Sequence, residues 1–216
     1  MSAPGWPATL TDGDVTLRPL RMRDATAWME SRRHNVEWLR PWEATPPAGP
    51  TTFGVSAAVF TTMTRRLRAD ARAGRALPFV VAVDGKFAGQ LNIAGIVRGS
   101  MDSAHVGYWV DQRVAGRGVM PTAVALAVDH CFGPVGLHRI EVNIRPENVA
   151  SRRVVEKLGF REEGIRKRYL HISGDWRDHI SYAVLKEELP NGLLYRWRHG
   201  HGVQTEPTRT RRDTPA

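Results

Sequence analysis

The sequence has a single cysteine, Cys131, among 216 residues, so no disulfide can form within the chain. No apolar run approaches the roughly 18 residues of a membrane-spanning helix, which excludes a helical membrane protein. The opening stretch carries Pro4, Pro7, Asp12 and Asp14 and lacks the apolar centre of a secretory signal. Zinc-finger spacing, an RNP motif and a GXXG loop are also missing, so specific nucleic-acid binding is not indicated. The 8 histidines form no metal constellation: His199 and His201 sit in the tail, and His171 and His179 lack a partner at ligand spacing. These absences lead to the expectation of a metal-free, cytoplasmic protein with no membrane partner.

What is present fits one domain with a full core: 42% of residues are hydrophobic and 25% are charged. The net charge of +9 favours anionic partners. Arginines cluster at Arg65, Arg66, Arg68, Arg72 and Arg75 and again around Arg166 and Arg168, which reads as solvated helix and strand faces. Cys131 falls in an apolar helix and is expected to fill the core.

The strongest local signal is the run Val110-Asp111-Gln112-Arg113-Val114-Ala115-Gly116-Arg117-Gly118-Val119-Met120-Pro121. An alternating apolar segment passes through Arg-x-x-Gly-x-Gly into an alanine-rich helical pattern. Glycines at a strand-to-helix turn let backbone N–H groups approach a ligand, and the helix adds its unpaired donors and positive dipole end. This is an anion cradle suited to a diphosphate. Pro121 occupies the third glycine position of the dinucleotide fingerprint, and the Gly-Lys-Ser/Thr ending of a P-loop is absent. The alternative is a turn merely softened by glycine.

Hydrophobic periodicity and turn signals order the elements as strand, two helices, three strands, helix, strand, helix, two strands. Val15–Leu20 reads as a strand, Asp24–His34 as a helix, and Val55–Ala73 as a longer one. Phe79–Val83 and the strand after it are joined by Asp84-Gly85, a tight hairpin signal. Ala104–Val110 is the next strand, and Met120–Phe132 is apolar on nearly every side and therefore buried. His138–Arg145 alternates Ile140, Val142 and Ile144 against Arg139, Glu141 and Asn143. Asn148 caps a helix that Gly159 stops, and strands near Arg166–Ile172 and Arg177–Leu185 follow. The expected class is α/β, a single domain with a mixed, mostly antiparallel sheet flanked by helices. Residues 1–11 are expected as a flexible extension, 12–200 as the domain, and 201–216 as a disordered basic tail.

The segment Asn148-Val149-Ala150-Ser151 through Gly159-Phe160, together with the upstream Arg-x-x-Gly-x-Gly loop, resembles the GNAT superfamily of N-acetyltransferases, in particular its RimJ/RimL-like ribosomal-protein members. The resemblance covers roughly residues 12–190. It implies splayed central strands holding acetyl-CoA as co-substrate and acetyl transfer to a protein N-terminal amine, a ribosomal protein's among the candidates, by direct attack in a ternary complex. The alternatives are a small amine such as a polyamine, amino sugar or antibiotic as acceptor, or a non-catalytic acyl-CoA sensor. Carried onto this chain, the family places Val110, Arg113, Val114, Ala115, Gly116, Arg117, Gly118, Val119, Met120, Asn148 and Ser151 against the co-substrate, with the Val110 N–H as oxyanion donor. Glu141 is the candidate base on the polar face of its strand; the alternative is a carboxylate paired with Arg139 or Arg145. Val155 stands where related enzymes carry a proton-donating tyrosine, so Ser151 and Tyr169 are the candidate donors. Trp38, Trp42 and Asn143 are expected on the acceptor side, core filling being the other reading of the tryptophans.

Overall fold

A computed structural model describes residues 3–49 and 54–200. In chain order the elements are β1 (Leu10–Asp12), β2 (Val15–Pro19), α1 (Ala25–His34), α2 (Val36–Leu39), α3 (Ala57–Arg72), β3 (Ala76–Val83), β4 (Lys86–Val97), β5 (Ser103–Val110), α4 (Val119–Phe132), β6 (Arg139–Ile144), α5 (Val149–Leu158), β7 (Arg161–Ile172), β8 (Asp175–Leu185) and α6 (Leu193–His199). The sheet has the order β1-β2-β3-β4-β5-β6-β8-β7, and among the described residues β5·β6 is its only parallel pair. The mixed α/β architecture expected from the sequence is the one observed.

The alternating residues of each strand divide between two apolar layers. Leu17, Phe79, Leu91, Val106, Ile140 and Val142 face α4, which is buried on nearly its whole circumference. On the opposite face Val80 and Ala82 meet Trp28 of α1 and Phe60 of α3. Cys131 belongs to the first layer, where burial pushes its thiol up to about 12 and leaves it inert at neutral pH.

Two terminal regions differ from the sequence reading. The segment expected to lie loosely at the start has specific partners: Trp6 meets the Phe79 ring edge-on at 5.1 Å, and Gly5 O lies 2.7 Å from His130 Nε2. Its residues 10–12 add β1 to the sheet edge. Near the other end, α6 was not expected. Asp129 of α4 accepts the N–H groups of Leu193 (2.6 Å) and Leu194 (3.0 Å), so the helix is capped from another element. The expected tail, 201–216, lies outside the described residues. Among those described, no helix is long and apolar enough to cross a membrane.

β5 and β6 share only three register pairs, Ser103↔Arg139, Ala104↔Ile140 and His105↔Glu141, and beyond them the strands part. The gap between them is the feature that positions the site.

Candidate active site

The cradle begins where β5 ends. Asp111, 2% exposed, accepts Ser31 Oγ at 2.7 Å and Arg113 N, Nε and Nη2 at 2.9, 2.9 and 2.7 Å. Burial works to raise the Asp111 carboxyl's pKa, but these hydrogen bonds outweigh it and hold the group well below the usual carboxylate range. Asn35, fully buried on the α1–α2 junction, accepts Gln112 N at 2.8 Å and donates to Ser31 O at 2.7 Å. The loop is therefore bolted to α1 before it reaches its glycines.

Gly116 (φ 79°) and Gly118 (φ 81°) both occupy the left-handed region that favours glycine, and a Cβ on Gly116 would enter open space. Val114 and Ala115, expected to face the co-substrate, spend their N–H groups on turn bonds to Asp111 O and Gln112 O. The Gly116, Arg117, Gly118, Val119 and Met120 N–H groups have no backbone partner among the described residues, and Gly118 caps α4 without a side chain. These five donors form the open cradle. Arg113, expected to add charge there, is committed to Asp111 and Glu30, whereas Arg117 is exposed and in no ion pair among the described residues.

Upstream, Gly89 pairs with Val110, and the bond from Asp111 N to Ala88 O makes that a non-hydrogen-bonded pair. The N–H groups of Val110 and, two residues earlier, Tyr108 therefore turn away from β4 into the gap beside β6. Across the gap stands α5. Asn148 Oδ1 accepts Ser151 N at 3.1 Å, the expected cap, and Gly159 ends the helix at φ 72°. Asn148→Ala is expected to cost about 1 kcal/mol of stability, with Asn148→Ser recovering most of it, as read by urea unfolding. Ser151 Oγ lies 2.9 Å from Tyr108 Oη. Burial pushes the Tyr108 hydroxyl up, the Ser151 bond offsetting part of that rise. Tyr108 was read in the sequence only as part of a strand; its meeting with Ser151, 43 positions away, leaves no local signal.

The other face of the gap collects the remaining candidates. Glu141 gives Oε1 to Arg139 Nε and Oε2 to Arg166 Nη2, both at 2.8 Å. Neither oxygen can take a proton from an amine without breaking an ion pair. Asn143 Oδ1 accepts Ser181 Oγ at 2.7 Å. Tyr169 lies under the Arg166 guanidinium, 5.0 Å from ring centre, and edge-on to His179 at 5.6 Å. It is thus on this face and not with Ser151. The Trp38–Trp42 stretch forms the end of α2 and a helical turn. Trp38 is half-buried, and Trp42 packs beneath Arg145 at 5.5 Å. Thr45, just beyond, donates its N–H to His171 O at 2.9 Å, fastening this segment to the β7–β8 hairpin. No group of residues able to hold a metal ion occurs among the described residues.

A parted parallel strand pair leading to a glycine-rich turn with five open N–H donors has the chemistry of a class of proteins that hold an extended phosphate-bearing ligand. The profile of the acetyltransferase (GNAT) domain matches residues 14–161, and the chain belongs to that family. It is similar to Mycobacterium smegmatis RimJ in complex with CoA-disulfide, at 45% identity and a TM-score of 0.86 over 90% of this chain and 95% of that one. The ribosomal-protein-S5-alanine acetyltransferase from Vibrio fischeri superposes at a TM-score of 0.75 with 28% identity, over 84% of this chain and 98% of that one. Among curated relatives, the probable N-acetyltransferase YjcK of Bacillus subtilis (strain 168) is 40% identical over 107 residues, 50% of this chain and 59% of the relative. The ribosomal protein uS5-alanine N-acetyltransferase of Escherichia coli (strain K12) is 38% identical over 96 residues, 44% of this chain and 50% of the relative. The chain thus spans about half the length of the curated relatives it matches.

Proposed function

We propose that this protein is an acetyl-CoA-dependent N-acetyltransferase that modifies a protein N-terminal amine by direct attack in a ternary complex. The observation that carries the reading is two sets of unpartnered donors at the end of one strand, Tyr108 and Val110 in the gap and Gly116–Met120 in the cradle. Residues with free N–H groups and an outward-facing Arg117 fit a diphosphate, and the open space over Gly116 fits its close approach. Acetyl-CoA supplies the activated acyl carbon as a thioester. The chain's part is to hold that carbon in line and to offer the Tyr108 and Val110 N–H groups where oxyanion charge develops. The Tyr108–Ser151 hydroxyl pair supplies a proton on the leaving side. The relatives named for ribosomal proteins support a peptide acceptor over a small amine.

The deciding experiment incubates the protein with acetyl-CoA and a panel of N-terminal peptides, polyamines and amino sugars, and follows thiol release. Peptide-dependent release is expected. Release with a soluble amine alone would reassign the acceptor, and tight acetyl-CoA binding without release to any amine would make the protein a sensor. Within the same assay, Tyr108→Phe is expected to lower kcat about tenfold with little change in KM for acetyl-CoA, because a hydroxyl of raised pKa is a weak acid. An unchanged kcat would remove Tyr108 from the leaving-group role.

A further inference from the structure

Glu141 is tied to two arginines, so the acceptor side needs another group to take the amine's proton. The sheet order supplies one by inserting β8 between β6 and β7. The last β6–β8 register pair is Ile144↔Ile180, which leaves His179 just past the end of β6. Ile180, Tyr182 and Val184 point into the α4 layer, so His179 and Ser181 share the face that carries Asn143. His179 is 3% exposed, with the Tyr169 ring edge-on against it. Its Nδ1 lies 3.0 Å from Arg177 O. A carbonyl oxygen can only accept, so Nδ1 carries the hydrogen and Nε2 carries the lone pair. Nε2 bonds no described residue and is not among the sealed polar atoms of the structure.

We propose that His179 is the general base of the acetyl transfer, taking the acceptor's proton at Nε2; this rests on the acetyltransferase reading above. The acceptor ammonium gives one proton to Nε2, which leaves an imidazolium and a free amine lone pair. That pair forms the C–N bond as the C–S pair leaves on sulfur. The thiolate takes its proton from the Tyr108–Ser151 hydroxyl pair, the second amine proton restores that pair, and the imidazolium returns its proton to water, so the products are an amide, a thiol and one proton. Burial is the main influence on His179 and lowers its pKa, with Arg145 adding to the effect. The Arg177 carbonyl bond, Glu147 and Asp178 oppose it. Arg166 and Tyr169 face the ring from β7. The net shift is downward, so the ring is neutral and able to accept a proton at pH 7.

His179→Asn tests this, because the asparagine amide can keep a donor to Arg177 O while Nε2 is removed. Expected are a kcat about 100-fold lower, loss of the acid limb that the wild-type kcat/KM profile shows on the acid side of the ordinary imidazole value, and unchanged acetyl-CoA binding by calorimetry. In a second variant, His179→Ala, added imidazole is expected to restore part of the rate. A variant that keeps its rate and acid limb overturns the inference, as does a slow variant whose acid limb persists and which imidazole does not rescue. A wild-type protein that binds acetyl-CoA but acetylates no amine fails earlier and takes the acetyltransferase reading with it.

Discussion

Gly116→Asp is expected to weaken acetyl-CoA binding about 100-fold while leaving the fold intact. At φ 79° aspartate is among the few side chains that tolerate the backbone, and the Cβ meets nothing within 4 Å. The substitution therefore adds charge with little strain. A carboxylate about 4 Å from a phosphate costs about 4 kcal/mol at an effective dielectric near 20. Solvent at an exposed loop trims that toward about 3 kcal/mol, which is a hundredfold in Kd. Gly116→Asn has nearly the same shape and backbone tolerance without the charge, and is expected to bind within a few-fold of wild type. Calorimetry on both variants gives the answer. Equal losses in the two would mean that Gly116 does not face the phosphates.

Asp111→Ala should be the most destabilising substitution near the site, by about 3 kcal/mol. It strands Ser31, which is 1% exposed, and releases the Arg113 main-chain and side-chain donors together. The effect has a pH signature. The carboxyl's pKa is depressed in the fold, so the unfolded chain takes up the proton first as pH falls. Its contribution is complete above the unfolded value of about 3.9 and fades as pH drops toward the native value. Urea unfolding of wild type and variant from pH 7 down to the acid limit should show a gap that narrows only below about pH 4. A gap that is small at pH 7, or constant throughout, would deny Asp111 its role as anchor.

The parts of this protein that could be read from the sequence are those whose causes are local. Asn148 and Gly159 bracket α5 because cap and stop lie within the helix they define. Asp84-Gly85 marks the β3–β4 turn for the same reason. Alternation placed Glu141 and Asn143 on one face correctly. What alternation could not give was Glu141's second partner, since Arg166 reaches it from β7 across β8. Likewise α6 is capped by Asp129 from α4, and Ser31, Asn35 and Asp111 meet only once α1 docks on the end of β5. His179 was set aside as a metal ligand for want of a neighbour at ligand spacing. Its surroundings arise from a strand order that runs β6-β8-β7, which no local pattern encodes. The cradle was legible as a motif, but its open donors became distinct from its spent ones only with the turn bonds of Val114 and Ala115.

The Asp129 clasp on α6 has a consequence for how the molecule comes into being. Trp197 on α6 donates its indole N–H to Thr122 in the first turn of α4 at 3.0 Å and stands beside Gly118. The brace of the glycine-loop end of α4 is thus translated nearly eighty residues after the glycine it stands beside, and lies beyond the stretch matched by the family profile. During synthesis the last strand of the sheet, β8, is complete before α6 is made, so the start of α4 gains its last support only once α6 has emerged.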